Sequence, residues 1–285
     1  RDTSVEVPYQ GCISHTWPAS FDFSETGEWL FRVTNEFATD TFPDNDVVNL
    51  RRDATPISTF PYFTDFNADS SNWYANGRNC VAYFQHGEVP YLNGPDGEGN
   101  SWYLSVPRGG NTDAPALESP IFDFTEMTNP LMTFDIKVMS NNPWPYADRV
   151  VLEYSLDGGG SWTALGAYNE PGLYDMFRHR NLPGWGRPAN GSGQLDAWTP
   201  VAYNLCVLSG EPCVKLRFKG YNIDAGEAFA IDNFRIGATQ GDDIAITGFF
   251  PTEGLNCSTT LGATETPEIR LKNNTCRPIR VPLIF

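Results

Sequence analysis

Basic residues are scarce in this chain: 19 Lys and Arg stand against 35 Asp and Glu, giving a formal net charge of −16. Phosphate binding needs a basic stripe, and none stands out, so no nucleic-acid partner is expected. Histidine is scarcer still. His15, His86 and His179 lie in unrelated contexts, and the chain has no H-E-x-x-H, no G-x-S-x-G and no phosphate loop. These absences remove the common metalloprotease, serine-hydrolase and nucleotide-binding readings, and the chain is expected not to be an enzyme. A glycosidase needs only two carboxylates that meet in space, but nothing in the sequence singles out a pair. No apolar run is long enough to span a membrane and no signal peptide is present, so the chain is expected to be a mature segment whose export signal lies elsewhere.

Cysteine is sparse but informative. Cys12, Cys80, Cys206, Cys213, Cys257 and Cys276 include no C-x-x-C pair and no histidine at metal-ligand spacing, which argues against zinc or thiol-redox chemistry. They suit an oxidising compartment, with the acidic surface of a secreted protein. Cys206 and Cys213 flank the turn 208–212 and are placed to clip a hairpin; Cys257 and Cys276 could staple neighbouring strands. Cys12 and Cys80 have no assigned partner, and buried free thiols remain the alternative for any of the six.

Sustained 3.6-residue periodicity is also missing, whereas Gly (26) and Pro (22) are abundant, so the chain reads as all-β with many short strands. Met132, Phe134, Ile136 and Val138 alternate with Thr133, Asp135 and Lys137. Val214, Leu216 and Phe218 alternate with Lys215, Arg217 and Lys219, and Val150, Leu152 and Tyr154 lead to the turn 157–160. Each is the pattern of a strand with one buried face. Around residues 228–236 the phase slips between Phe229/Ile231 and Phe234/Ile236, which predicts a bulge at Asp232-Asn233. The Gly-, Pro- and Asn-rich stretch from Tyr168 to Trp198 is expected to be surface loop.

Three segments follow: 1–53, 56–238 and 242–285. The first and last are short and alternate around Val5/Val7 and Ile244/Ile246. A segment of roughly forty residues buries too little apolar surface to offset its chain entropy. We therefore expect the head of one unit to complete the tail of a neighbouring copy.

The central block carries Thr59-Phe60-Pro61-Tyr62-Phe63-Thr64-Asp65-Phe66, Trp73, Ser101-Trp102-Tyr103-Leu104, Leu117 to Phe124, Glu153 to Trp162, and Phe229-Ala230-Ile231-Asp232-Asn233-Phe234. In this order, across residues 59–237, they resemble the MAM-like jelly-roll domains of secreted bacterial surface adhesins. The flanks resemble halves of the Ig-like, CARDB-like spacers of the same proteins. The resemblance implies an antiparallel jelly-roll sandwich with partial Ig-like sandwich segments at both ends, often with a structural calcium ion. It also implies a non-enzymatic repeat unit of a cell-surface adhesin or filament, exported by a type IX route and joined head to tail to copies of itself.

Candidate sites follow from both readings. Calcium takes six to eight oxygen ligands, and Asp65, Asp123 and Asp232 at strand ends and the bulge are the carboxylates expected to supply them; the plainer reading is that they cap turns. Trp144, Tyr146 and Trp185 sit among turn formers and could stack on surface glycans, or else roof the core. Glycan stacking would make the chain a carbohydrate-binding accessory module of a secreted hydrolase, the alternative function. Ser155 to Trp162 matches S-x-D-x-G-x-x-W, which we read as a folding motif.

Overall fold

The computed structural model describes residues 27–34, 47–53, 55–76, 83–88, 99–105, 115–140, 149–168, 170–174, 182–186, 198–221, 227–238, 244–250, 268–273 and 275–281. The described elements are strands apart from one 3-10 turn at Cys206–Leu208. In chain order they are β1 (Glu28–Thr34), β2 (Val47–Asp53), β3 (Tyr62–Thr64), β4 (Tyr74–Asn76), β5 (Phe84–Gly87), β6 (Ser101–Ser105), β7 (Ala116–Phe122) and β8 (Pro130–Ser140). There follow β9 (Arg149–Ser155), β10 (Thr163–Ala164), β11 (Trp185–Gly186), β12 (Thr199–Asn204), β13 (Val214–Tyr221), β14 (Glu227–Ala238), β15 (Ile244–Phe250) and β16 (Glu268–Asn273).

Two antiparallel sheets make the sandwich. One runs β12-β8-β14-β6-β5, with β3 extending the edge of β14; the other runs β10-β9-β13-β7-β4, with β11 also on β9. The chain passes from one sheet to the other at β7 to β8, β8 to β9 and β12 to β13 to β14, the winding of a jelly roll. The expected alternation holds. Met132, Phe134, Ile136 and Val138 of β8 are buried, as are Val214, Leu216 and Phe218 of β13. Side chains from both inner faces meet in one aromatic core: Trp73 lies 4.8 Å from Phe234, and Phe134 lies 5.3 Å from Phe218, both edge to face. Each fully buried ring of this kind contributes about 1.5–3 kcal/mol through area removed from water.

The bulge falls where the phase slip places it. The β14–β8 register shifts between Asp232 and Arg235, and Asn233 takes φ 49°. The extra residue lets β14 change edge partner, from β6 at 228–231 to β3 at 234–236.

Two expectations are corrected. The stretch from Tyr168 to Trp198 is not all surface loop, because its described part carries Leu173, Tyr174 and Trp185 into the core and forms β11. Nor does Cys206 pair with Cys213. Cys206 is joined to Cys276 across a separation of 70 residues, so the expected Cys257–Cys276 staple does not form either, and Cys213 is a free, half-buried thiol. Adjacent half-cystines on one hairpin looked favourable, but Cys276 is seated beside Cys206 by the Asn129 side chain, which accepts the Cys276 N–H at 2.9 Å. Cys12, Cys80 and Cys257 lie outside the described residues.

The flanks each contribute a two-stranded sheet, β1–β2 and β15–β16. Ile246 and Leu271 are paired in register on the second and are 71% and 38% exposed; Val33 on the first is 45% exposed.

Candidate functional site

The outer face of the β9–β13–β7–β4 sheet carries an unusual set of side chains. Strand alternation sends Val214, Leu216 and Phe218 inward and so aims Lys215, Arg217, Lys219 and Tyr221 outward. Arg217 stands in register with Glu118 of β7 on one side and Glu153 of β9 on the other. Tyr74 of β4 is opposite Glu118, and Arg149 of β9 is opposite Tyr221.

Two ion pairs organise this face. The Lys215 ammonium meets Glu118 Oε2 at 2.7 Å, and the Asn76 amide donates to Glu118 Oε1 at 2.8 Å. The Tyr74 hydroxyl lies between the two charges, donating to Glu118 and accepting from Lys215. Arg217 donates Nε and Nη2 to Glu153 Oε2, each at 2.6 Å, and Tyr221 donates its hydroxyl to Glu153 Oε1 at 2.5 Å. Burial pushes the Glu118 carboxyl up, but attraction and hydrogen bonding from Lys215, helped by Tyr74 and Asn76, outweigh it and hold the group below its ordinary value. Burial together with the hydrogen bond and negative charge of Glu153 raises the Tyr221 hydroxyl to about 12.

Cations lie over the rings of this face. Lys215 is 4.8 Å from the Tyr74 centroid, Arg217 is 4.1 Å from Trp162, and Arg149 and Lys219 are 4.7 and 4.9 Å from Tyr221. Each such contact holds a long side chain upright and gives about 0.5–1 kcal/mol at an exposed position. Trp162 is itself held by the turn before it. Asp157 Oδ1 accepts from Ser155 Oγ and the Ser161 N–H, Oδ2 accepts from Ser161 Oγ, and the Trp162 indole donates to the Gly159 carbonyl at 3.0 Å. Gly158 and Gly159 take φ 71° and 107°, and a Cβ on Gly159 would come within 3.3 Å of Trp162. The S-x-D-x-G-x-x-W motif is thus a turn that sets an aromatic ring on the sheet.

The expected site residues fall elsewhere. Trp185 is 1% exposed; its indole donates to the Leu173 carbonyl at 2.7 Å and its rings pack on Tyr174 and Phe134, so it offers no face to a sugar. Trp144 and Tyr146 lie outside the described residues. Asp123 is a half-buried turn cap, accepting from the N–H and hydroxyl of Thr125. Asp65 accepts the Asn67 N–H at 3.1 Å. Asp232 is 3% exposed and accepts from Ser101 Oγ at 2.7 Å and from the Asn233 N–H. Asp65 and Asp232 are on linked segments, because Asn67 takes the Asn100 N–H and Asn100 precedes Ser101; Asp123 takes no part in this linkage. Among the described residues no three His, Cys, Asp or Glu side chains gather into a group able to hold a metal.

No family model matches the chain, and no curated protein matches it. Among solved structures it is similar to the K1 cleaved adhesin domain of Lys-gingipain from Porphyromonas gingivalis, with 14% identity and a TM-score of 0.40 over 64% of this chain and 99% of that one. The K2 cleaved adhesin domain of Lys-gingipain gives 15% identity and a TM-score of 0.41 over 62% and 98%. The CBM22-1 xylan-binding domain of Paenibacillus barcinonensis Xyn10C gives 11% and 0.35 over 66% and 99%. The fold assignment rests on the strand pairing described above.

Proposed function

We propose that the chain is a non-enzymatic unit of an extracellular surface adhesin, in which a jelly roll supplies attachment and strand-rich flanks supply reach. The observation that carries this reading is the Cys206–Cys276 crosslink, which ties the segment after β16 to the end of β12. A structural disulfide of this kind is characteristic of an oxidising compartment, and it makes jelly roll and flank one covalent body under load. Closing a loop of 70 residues stabilises the folded state by about 4 kcal/mol through chain entropy. Head-to-tail pairing with neighbouring copies belongs to the same proposal. A two-stranded sheet is marginal alone, and the exposed pair Ile246 and Leu271 and the exposed Val33 are apolar surface that pairing would cover.

Calcium enters the proposal through Asp232, a buried carboxylate that accepts from Ser101 Oγ, next in sequence to Asn100. The second reading is a carbohydrate-binding accessory module, favoured by the rings and hydrogen-bonding groups on the outer sheet face. Antibody raised against the chain and applied to intact source cells tests the first reading. Labelling without permeabilisation is expected, and labelling only after lysis would overturn it.

A further inference from the structure

We propose that the outer face of the β12–β8–β14–β6–β5 sheet binds a neutral polysaccharide, stacked on Tyr103 and Trp198 and hydrogen-bonded by Lys137. The inference rests on reading the chain as an attachment unit and names what that unit holds.

Strand register carries the first step. Lys137 of β8 stands opposite Ala230 of β14, Ala230 opposite Tyr103 of β6, and Tyr103 opposite Gln85 of β5. Their chain neighbours Ile136, Ile231, Leu104 and Phe84 are buried in the core between the sheets, so this row faces outward. Tyr103 and Trp198 both pack on Ala230 and form an apolar cluster separate from that core, with Ala230 fully buried beneath them. Trp198 precedes Thr199, which pairs with Ile136, so its ring crosses β8 beside Lys137 to reach Ala230. The exposed Tyr83, two residues before Gln85, adds a third ring. It is near enough that its negative charge, after burial, raises the Tyr103 hydroxyl above its ordinary value. The row crosses the five strands from β12 to β5, a span of about 19 Å at about 4.8 Å per strand spacing.

Chemistry carries the second step. Lys137 is only 8% exposed, and among the described residues its ammonium has no ion pair or hydrogen bond. A buried ammonium is all donor, and it is costly while it lacks acceptors. An acidic ligand would supply them, but Asp135 and the buried Asp232 face each other in the next row, about 7 Å along the strands, on a chain of net charge −16. Sugar hydroxyls accept from Lys137 without adding charge, and they can donate in turn to Asp135 and to the Gln85 carbonyl. Flat rings beside such groups suit a chain of hydroxylated rings, whose apolar faces stack on aromatics. A protein is the competing occupant. Its anchor on this sheet would be the exposed Phe63 of β3, but Phe63 pairs with Arg235 beyond the bulge, across the two aspartates from the aromatic row.

The test uses the full chain in affinity gel electrophoresis, with hydroxyethyl cellulose, galactomannan and arabinoxylan as neutral probes and polygalacturonate as the acidic one. Retardation by at least one neutral polymer is expected, little changed by salt, with none by polygalacturonate. Tyr103→Ala should weaken it about three- to tenfold, the worth of one stacked ring, whereas Tyr103→Phe keeps the ring and should stay within about twofold of wild type. Lys137→Met keeps the stem and should weaken binding about tenfold or more, the size of a hydrogen bond from a charged donor, without lowering Tm. Lys272→Met, at an exposed cation on β16, should leave binding unchanged.

No retardation by any of the three neutral polymers would overturn the proposal, as would stronger retardation by polygalacturonate, or neutral binding that Tyr103→Ala and Lys137→Met leave intact. A dimer in sedimentation that Tyr103→Ala dissolves would overturn it in favour of a second copy. Antibody labelling of intact source cells with no neutral polymer bound would remove the polysaccharide and leave the extracellular unit standing. Polymer binding with labelling only after lysis would do the reverse.

Discussion

Replacing Trp185 with alanine separates a core role from a surface role more sharply than any other substitution in this chain. Its ring lies 4.8 Å from Tyr174, 5.8 Å from Phe134 and Phe229, and 6.0 Å from Phe218, and its N–H is held by the Leu173 carbonyl. Truncation leaves a cavity among these rings and strands that carbonyl, at a cost of about 3–5 kcal/mol. For a domain of this size each kcal/mol lowers Tm by about 2–4 °C, so the variant should melt about 6–20 °C lower. Trp185→Phe keeps part of the ring and loses the hydrogen bond, so it should fall between wild type and alanine. Urea denaturation followed by Trp fluorescence and circular dichroism reads the difference. A Trp185→Ala chain with wild-type stability and lost glycan binding would refute the placement of this residue in the core.

Three further outcomes follow from buried groups. Glu118→Gln leaves the Lys215 ammonium without its carboxylate and should cost about 3–5 kcal/mol at neutral pH by urea titration. Because Glu118 titrates below its ordinary value of 4.5 in the folded chain, its contribution is complete above that value and is lost as pH falls through the lowered one. The gap between wild type and variant should therefore narrow in acid, and a gap independent of pH would contradict the pairing. Tyr62 is raised to about 12, by burial first, against the Trp73 N–H that bonds its hydroxyl at 3.1 Å. Its contribution is complete below the ordinary value of 10.0 and is lost as pH rises toward about 12. Alkaline titration of stability should fall across that window, and less steeply in Tyr62→Phe; an unchanged slope would count against its burial. Calcium at Asp232 predicts a higher Tm in calcium than in EDTA, a difference that Asp232→Asn abolishes; identical melting of wild type in both would remove the ion from the account.

Strand content was legible because alternation reports which face is buried. The β8 and β13 patterns and the slip at Asp232-Asn233 all describe one local fact, the direction of Cβ along a strand. The Asp157 turn was legible for a similar reason, since its bonds span only a few residues. For Trp185 the core alternative held, and what the sequence missed was the strand it sits on: Gly184 and Gly186 surround it with turn-forming composition, and nothing local shows that β9 is waiting to pair with so short a strand. The disulfide was misjudged because Cys206 and Cys276 are brought together by Asn129, far from both in sequence. The charged sheet face lay half in view: Lys215, Arg217 and Lys219 were readable as an outward row. Their partners Glu118, Glu153, Tyr74 and Trp162 come from three other strands and a turn, and only the sheet order β9–β13–β7–β4 unites them.

Peptide mapping of the native, unreduced protein taken from its source tests the proposed extracellular unit most directly. The account predicts a single crosslinked species containing Cys206 and Cys276, which separates on reduction, with the Cys213 thiol alkylated beforehand. Recovery of Cys206 and Cys276 as separately alkylated thiols would contradict it.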